Sequence, residues 1–178
     1  MDLLIDQVLL KYDFWSRYTR RVPTDPAQVW RAIHELTYRE LPLTRLLMGV
    51  RSAGRARLSG AVIQAAAMPE LARNEGHELV MGRVAKFWQP RPTKGPASTT
   101  TAAGFTEFAE PGWAKAAMSF QVLPVDGGTL LVAETRVQAT DPTARQRFAP
   151  YWLLIRAGGA GFIRLELLRA VARRAQRT

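Results

Sequence analysis

The sequence predicts an α+β fold in which an antiparallel sheet folds around a long final helix. Three observations carry this. Strand-like and helical segments are segregated: one strand, two helices, several strands, then a last helix. An Asp126-Gly127-Gly128 turn joins two alternating segments, the signature of a hairpin. Finally, Phe148, Trp152, Ile155, Gly159, Phe162 and Ile163 recur at helical spacing after an Asp141-Pro142 start.

Tyr12 to Val22 alternates, with Phe14, Tyr18 and Val22 on one side and Asp13, Arg17 and Arg21 on the other, as a half-buried strand does. Pro23 ends it. Asp25-Pro26 then offers a capping carboxylate and a proline preset for a first helical turn. Val29, Trp30, Ile33 and Leu36 give that helix an apolar face, and a second short helix is expected around Leu41 to Met48. Residues 52–75 are glycine-broken and then small and apolar without a firm period, so no element is assigned there. Leu79, Met81 and Phe87, interleaved with Glu78, Arg83 and Lys86, predict a strand over about 77–88.

Gln89 to Gly104 is rich in proline, glycine, serine and threonine and reads as a mobile loop, with Thr99–Thr101 as a short edge strand. Phe105 to Phe108 fits one helical turn before Pro111-Gly112. In Trp113 to Leu123 the residues Met118, Phe120 and Val122 share one side. In the partner strand Leu131, Ala133, Thr135, Val137 and Ala139 form the inward set, leaving Glu134 and Arg136 on the other, solvated face.

The last helix is expected over about 142–176. Tyr151 to Ile155 is apolar all round, which marks a segment wrapped by other structure. Gly158, Gly159 and Gly161 interrupt it. Three glycines inside a helix cost on the order of 3 kcal/mol relative to alanine, so the helix kinks, packs closely on a strand, or leaves room for a bound molecule.

The chain of 178 residues is read as one domain over 1–178, long enough to bury a core. Its 47% apolar and 22% charged residues argue against disorder. With no cysteine, disulfides and thiolate chemistry are excluded. The acidic start Met1-Asp2, with Asp6 and Gln7 breaking the apolar run, is no secretion signal, and no run of apolar residues is long enough to cross a membrane. The expected address is the cytoplasm. Net charge is +10, and the eight arginines of residues 141–178 stand against two acids, Asp141 and Glu166. These arginines suit the solvated C-terminal end of a helix dipole; the alternative is an anionic-surface contact, with a peripheral membrane ahead of nucleic acid.

In element order, and in GRVAKFW (82–88), PGWAKAAMSF (111–120) and ETRVQATDPTARQRFAPYWLLIR (134–156), the chain resembles the START/SRPBCC helix-grip superfamily, in particular uncharacterised bacterial members. The superfamily holds polyketide cyclases, lipid-transfer domains and pollen-type allergens. The resemblance implies a curved sheet gripping the C-terminal helix around an internal cavity, and carries over no catalytic residue.

Such a cavity would be lined by Met48, Phe87, Met118, Phe120, Trp152, Gly159 and Phe162, with Trp113 at its mouth and Arg83, Glu134 and Arg136 as polar candidates. Trp88, Phe148 and Ile155 are further apolar residues expected to face inward. His34 and His77 are the only histidines and lack a metal-ligand spacing, so neither a metal nor another cofactor is expected; either histidine could serve as a general base. The first reading is a non-catalytic carrier of a hydrophobic or amphipathic small molecule. The alternatives are a cyclase, dehydrase or hydrolase using the same cavity, and an anionic-surface module acting through the arginine-rich C-terminus. The oligomeric state is not legible.

Overall fold

The computed structural model of the chain describes residues 3–51, 60–65, 68–158 and 160–177. Six antiparallel strands form one curved sheet: β1 (Phe14–Val22), β2 (Glu70–Asn74), β3 (Glu78–Lys86), β4 (Thr93–Lys94), β5 (Ala114–Val125) and β6 (Gly128–Ala139). Their order is β1-β6-β5-β3-β2, with β4 added beside β3. The β5–β6 hairpin is the backbone of the sheet. It runs in register from Ala114 opposite Ala139 to Val125 opposite Gly128, and Gly127 takes the left-handed φ of +74° that its two-residue turn requires.

The helices are α1 (Leu4–Val8), α2 (Pro26–Glu35), α3 (Pro42–Arg51), α4 (Val62–Ala65), α5 (Ala102–Glu107), α6 (Pro142–Gly158) and α7 (Ala160–Ala175). Both Asp-Pro signals open helices. The Asp25 carboxylate accepts from Ala27 N at 2.7 Å. Asp141 accepts from Thr143 N at 2.8 Å, Ala144 N at 3.0 Å, and also Gly112 N, tying α6 to the turn before β5. The start of α3 is capped from another element: the Glu166 carboxylate of α7 accepts from Leu43 N at 2.8 Å and Thr44 N at 2.7 Å.

Three apolar clusters hold the fold together. On the concave face, Leu79, Met81, Phe120, Val122, Leu131 and Ala133 of the sheet meet Val29, Trp30 and Ile33 of α2 and Leu168, Val171 and Ala175 of α7. At one end of the sheet Phe148 and Trp152 of α6 pack with Phe14, Ala116 and Val137. On the convex face Ile5, Val8 and Leu9 join Leu71, Val80, Val84 and Phe105. The sheet thus has cover on both sides.

That convex cover corrects one expectation. Glu134 and Arg136 lie opposite the inward set, as alternation predicts, yet they are 2% and 7% exposed because α1 lies over them. Neither is solvated, and neither faces the concave side. Two further differences are local. Glu70–Asn74 forms β2, a strand without β-branched residues. Thr99 and Thr100 belong to a 3₁₀ turn, Ala97–Thr100, rather than an edge strand, and it is Thr93–Lys94 that pairs with β3. The C-terminal segment runs as α6 and α7 on either side of residue 159, and the expected interruption there lies outside the described residues.

Candidate functional site

The sheet's concave side opens between α2, α4 and the β2–β3 edge into a cleft of about 430 Å³. Its apolar floor is Ile63, Met68, Pro69 and Met81, and its polar groups are His34, Gln64, Glu70, Arg73 and Arg83. Each side chain is placed by simple periodicity. Arg83 stands on β3 two residues beyond Met81 and four beyond Leu79, and therefore on the same face as both. His34 follows Trp30 by one helical turn of α2.

Behind the cleft, Met81 and Ile63 also wall an internal space of about 30 Å³ enclosed with Leu36, Met118, Phe120, Leu167 and Val171. That is room for about one water molecule, and the lining offers one no polar partner. This internal space is far smaller than the cavity implied by the helix-grip resemblance. Leu168 and Val171 of α7, Ile33 of α2 and Leu36 just after it, all at most 3% exposed, belong to the same apolar core.

The electrostatics of the cleft are uneven. The Glu70 carboxylate is engaged by Arg73, with Nε donating at 3.0 Å and Nη2 at 2.6 Å. Arg83 has no carboxylate or hydrogen-bond partner among the described residues, and burial pushes its guanidinium pKa down. A half-buried cation in this state is stabilised by any anion that reaches it. Beside it, His34 Nδ1 lies 2.9 Å from the Trp30 carbonyl oxygen. A carbonyl only accepts, so in the neutral ring Nδ1 carries the proton and Nε2 is an acceptor. Nε2 is buried and meets no partner among the described residues. The His34 ring packs at a tilt of 52° against Trp30, 4.7 Å between centroids, and Trp30 Nε1 donates to Glu75 Oε1 at 2.7 Å.

A second polar group sits deeper on the concave face. Arg164 of α7 donates to the Thr135 hydroxyl oxygen of β6 from Nε at 3.1 Å and Nη2 at 2.5 Å. Burial pushes its pKa down, and Tyr18 opposes the shift. Nearby, a Cβ on Gly161 would lie 3.1 Å from the Tyr18 hydroxyl. Of the glycine run, the described member is thus in close contact with a strand.

Of the residues expected to line a ligand space, Met118 and Phe120 do border the small internal one, and Arg83 lines the cleft. Phe87 and Trp152 belong to the aromatic cluster around Phe148, where Phe14 and Phe148 centroids stand 4.9 Å apart. Trp113 packs edge-on to Phe108 at 6.1 Å in the convex cluster, away from the cleft mouth. Phe162 is 58% exposed, and Met48 is half-buried on α3 without bordering the cleft. Gly159 lies outside the described residues. Glu134 and Arg136 serve the convex face: Arg136 donates to Glu134 Oε1 at 2.7 Å and to Asp6 Oδ1 at 2.6 Å. His34, named from the sequence only as a possible general base, borders the cleft. Its spacing from Trp30 was the available signal. His77 is exposed. Among the described residues no cluster of three or more His, Asp or Glu could hold a metal ion.

No protein-family model matches the chain, and no curated protein matches it. Among solved structures, it is similar to protein MLL2253 from Mesorhizobium loti, with 11% identity over 93% of this chain and 98% of that one and a TM-score of 0.44. It is similar to TTHA0849 from Thermus thermophilus, with 13% identity, coverage of 92% and 97% and a TM-score of 0.36. It is also similar to Ara h 8.0201, with 10% identity, coverage of 93% and 99% and a TM-score of 0.32. Likeness at these scores says nothing about what the protein binds, so function rests on the cleft itself.

Proposed function

We propose that the protein binds an amphipathic small molecule with an anionic head group in the cleft between α2, α4 and the β2–β3 edge, as a START/SRPBCC-type carrier in the cytoplasm. One observation carries the reading: Arg83 is half-buried beside an apolar floor and has no partner among the described residues. An anionic head at Arg83 restores what its desolvation costs, while the hydrocarbon part covers Met68, Met81 and Ile63. A volume near 430 Å³ falls within the range of small-molecule clefts. The seat is an open cleft rather than the enclosed cavity of the first expectation. Titration calorimetry with decanoate and with decanol tests it. Decanoate binding about tenfold tighter than decanol supports the proposal, the equivalent of one charge-assisted contact. Equal affinities, or none, contradict it.

A second reading, an enzyme of the cyclase, dehydrase or hydrolase kind, is favoured by His34. Its Nδ1 is committed to the Trp30 carbonyl, which leaves Nε2 as a proton acceptor on a residue of the same cleft as Arg83. In that reading His34 removes a proton and the Arg83 guanidinium stabilises the resulting oxyanion. The two readings separate with His34→Gln. Loss of turnover of a hydroxylated or keto substrate, with binding retained, marks the enzyme; unchanged behaviour leaves the carrier.

A further inference from the structure

Nine large apolar side chains are exposed among the described residues, and six of them lie on three consecutive packing elements: Leu43 and Leu46 of α3, Leu153 and Leu154 of α6, and Phe162 and Leu165 of α7. Leu46, Leu153, Leu154 and Phe162 are each more than half exposed, at 64%, 66%, 69% and 58%. Leu153 and Leu154 lie in the last turns of α6 and Phe162 and Leu165 in the first turns of α7. The α3 helix is pinned to α7 by Glu166, which accepts from Leu43 N and Thr44 N, and Leu43, Phe162 and Leu165 border one groove of about 330 Å³.

The surrounding charge is of one sign. Arg169 and Arg173 border the same groove, and Phe162, Leu165, Arg169 and Arg173 follow one another at helical spacing along an exposed stripe of α7. Arg45 and Arg156, both exposed, flank the leucines of α3 and α6. None of these four arginines has a carboxylate partner among the described residues. The acid in their midst, Glu166, is held against the backbone of α3. A stripe of leucines and a phenylalanine rimmed by free guanidinium groups matches the acyl–headgroup boundary of an anionic bilayer, where apolar side chains sink and cations meet phosphate. A second copy of the chain fits poorly, since a self-complementary contact would set arginine against arginine while Glu166, the acid between them, is already committed to α3. Nucleic acid fits poorly too, because aliphatic leucines give bases no stacking platform.

We infer that the face formed by α3, the end of α6 and the start of α7 docks on anionic membrane surfaces. This surface is separate from the cleft at Arg83, so either proposal stands if the other fails. The test is co-sedimentation of the full chain with vesicles of phosphatidylcholine alone and with about one-third phosphatidylserine. Binding to the phosphatidylserine vesicles that is at least about tenfold stronger and weakens with salt is expected. The double variant Arg169→Gln/Arg173→Gln should weaken it about 25-fold, at roughly fivefold per arginine. Leu154→Ser/Phe162→Ser should weaken it by about tenfold or more, with the melting temperature kept because both side chains are exposed. Three results would overturn the inference: no preference for phosphatidylserine, binding untouched by the Leu154/Phe162 variant, or a self-association of the chain that this variant abolishes.

Discussion

The hydroxyl of Tyr18 on β1 stands 3.1 Å from where a Cβ of Gly161 would lie, so the start of α7 meets the sheet at a distance that glycine permits. The glycine at this position makes room for a strand rather than for a ligand. Gly161→Leu should therefore cost about 1–3 kcal/mol through overpacking. Gly161→Ala should lie near neutral, since the helix gains up to about 1 kcal/mol of propensity against the tight contact. Urea unfolding of the two variants measures both. A leucine tolerated without loss would mean that open space exists beside α7.

Beneath α1, Arg136 joins Glu134 and Asp6 and also donates to the Leu9 carbonyl at 3.1 Å. Burial lowers the Arg136 pKa, but the hydrogen bonds and charges of Asp6 and Glu134 outweigh it, and the net shift is upward. Arg136→Met removes the cation and leaves the Glu134 carboxylate, 2% exposed, with only the Trp15 indole donor at 3.0 Å. A loss of about 3–5 kcal/mol is expected. Removing Glu134 and Arg136 together, as Glu134→Leu/Arg136→Met, should cost less than Arg136→Met alone, because no charge is stranded. Equal or additive losses in chemical denaturation would speak against a coupled network.

These two regions show how much the sequence carried. The strand and helix order, the Asp-Pro caps and the Asp126-Gly127-Gly128 hairpin were legible because each rests on a local signal. Alternation placed Glu134 and Arg136 on the face opposite Leu131, and that was right. It cannot say whether a face is covered, and the five-residue cover, Leu4–Val8, is too short to show a period. The misplacement of Phe162 has a geometric cause. Extending the inward stripe of α6, Phe148 and Trp152, at 100° per residue leads to Phe162, but α7 buries Leu168, Val171 and Ala175, roughly half a turn away. The buried side thus differs between α6 and α7, which a single periodic reading does not show. β2 escaped because Glu-Leu-Ala-Arg-Asn has little strand propensity, and its pairing with β3 is a tertiary fact. Arg83 stood among the sequence's polar candidates and lines the cleft, but the cleft itself was not legible, since α4, His34 and β2 come together only in space.

Acid should loosen the grip between α7 and the 3₁₀ turn Tyr38–Glu40. Burial raises the Glu40 pKa, but hydrogen bonds from Thr37 N at 3.0 Å and Thr37 Oγ1 at 2.9 Å, with Arg174 alongside, outweigh it and hold the carboxyl below its ordinary value of 4.5. A depressed carboxyl contributes stability that is fully present above its unfolded pKa and is lost as pH falls through the folded one. Unfolding free energy should thus decline below about pH 4.5, and Glu40→Gln should flatten that part of the profile. A wild-type-like acid limb in Glu40→Gln would remove Glu40 as its source.

The β5–β6 turn offers a backbone test. Gly127, at a φ of +74°, admits an L side chain only with strain, although a Cβ there would meet nothing within 4 Å. Gly127→Ala should cost about 1 kcal/mol and Gly127→Asn less, because asparagine tolerates the left-handed region. Equal losses for the two would point to something other than φ.

If Arg83 is the anion-binding group of the cleft, Arg83→Met is the decisive variant. Methionine keeps the length and the packing of the stem and removes the charge. By calorimetry, the variant is expected to keep its melting temperature and its weak affinity for decanol while losing the preference for decanoate. An Arg83→Met protein that still prefers decanoate as the wild type does would contradict the account.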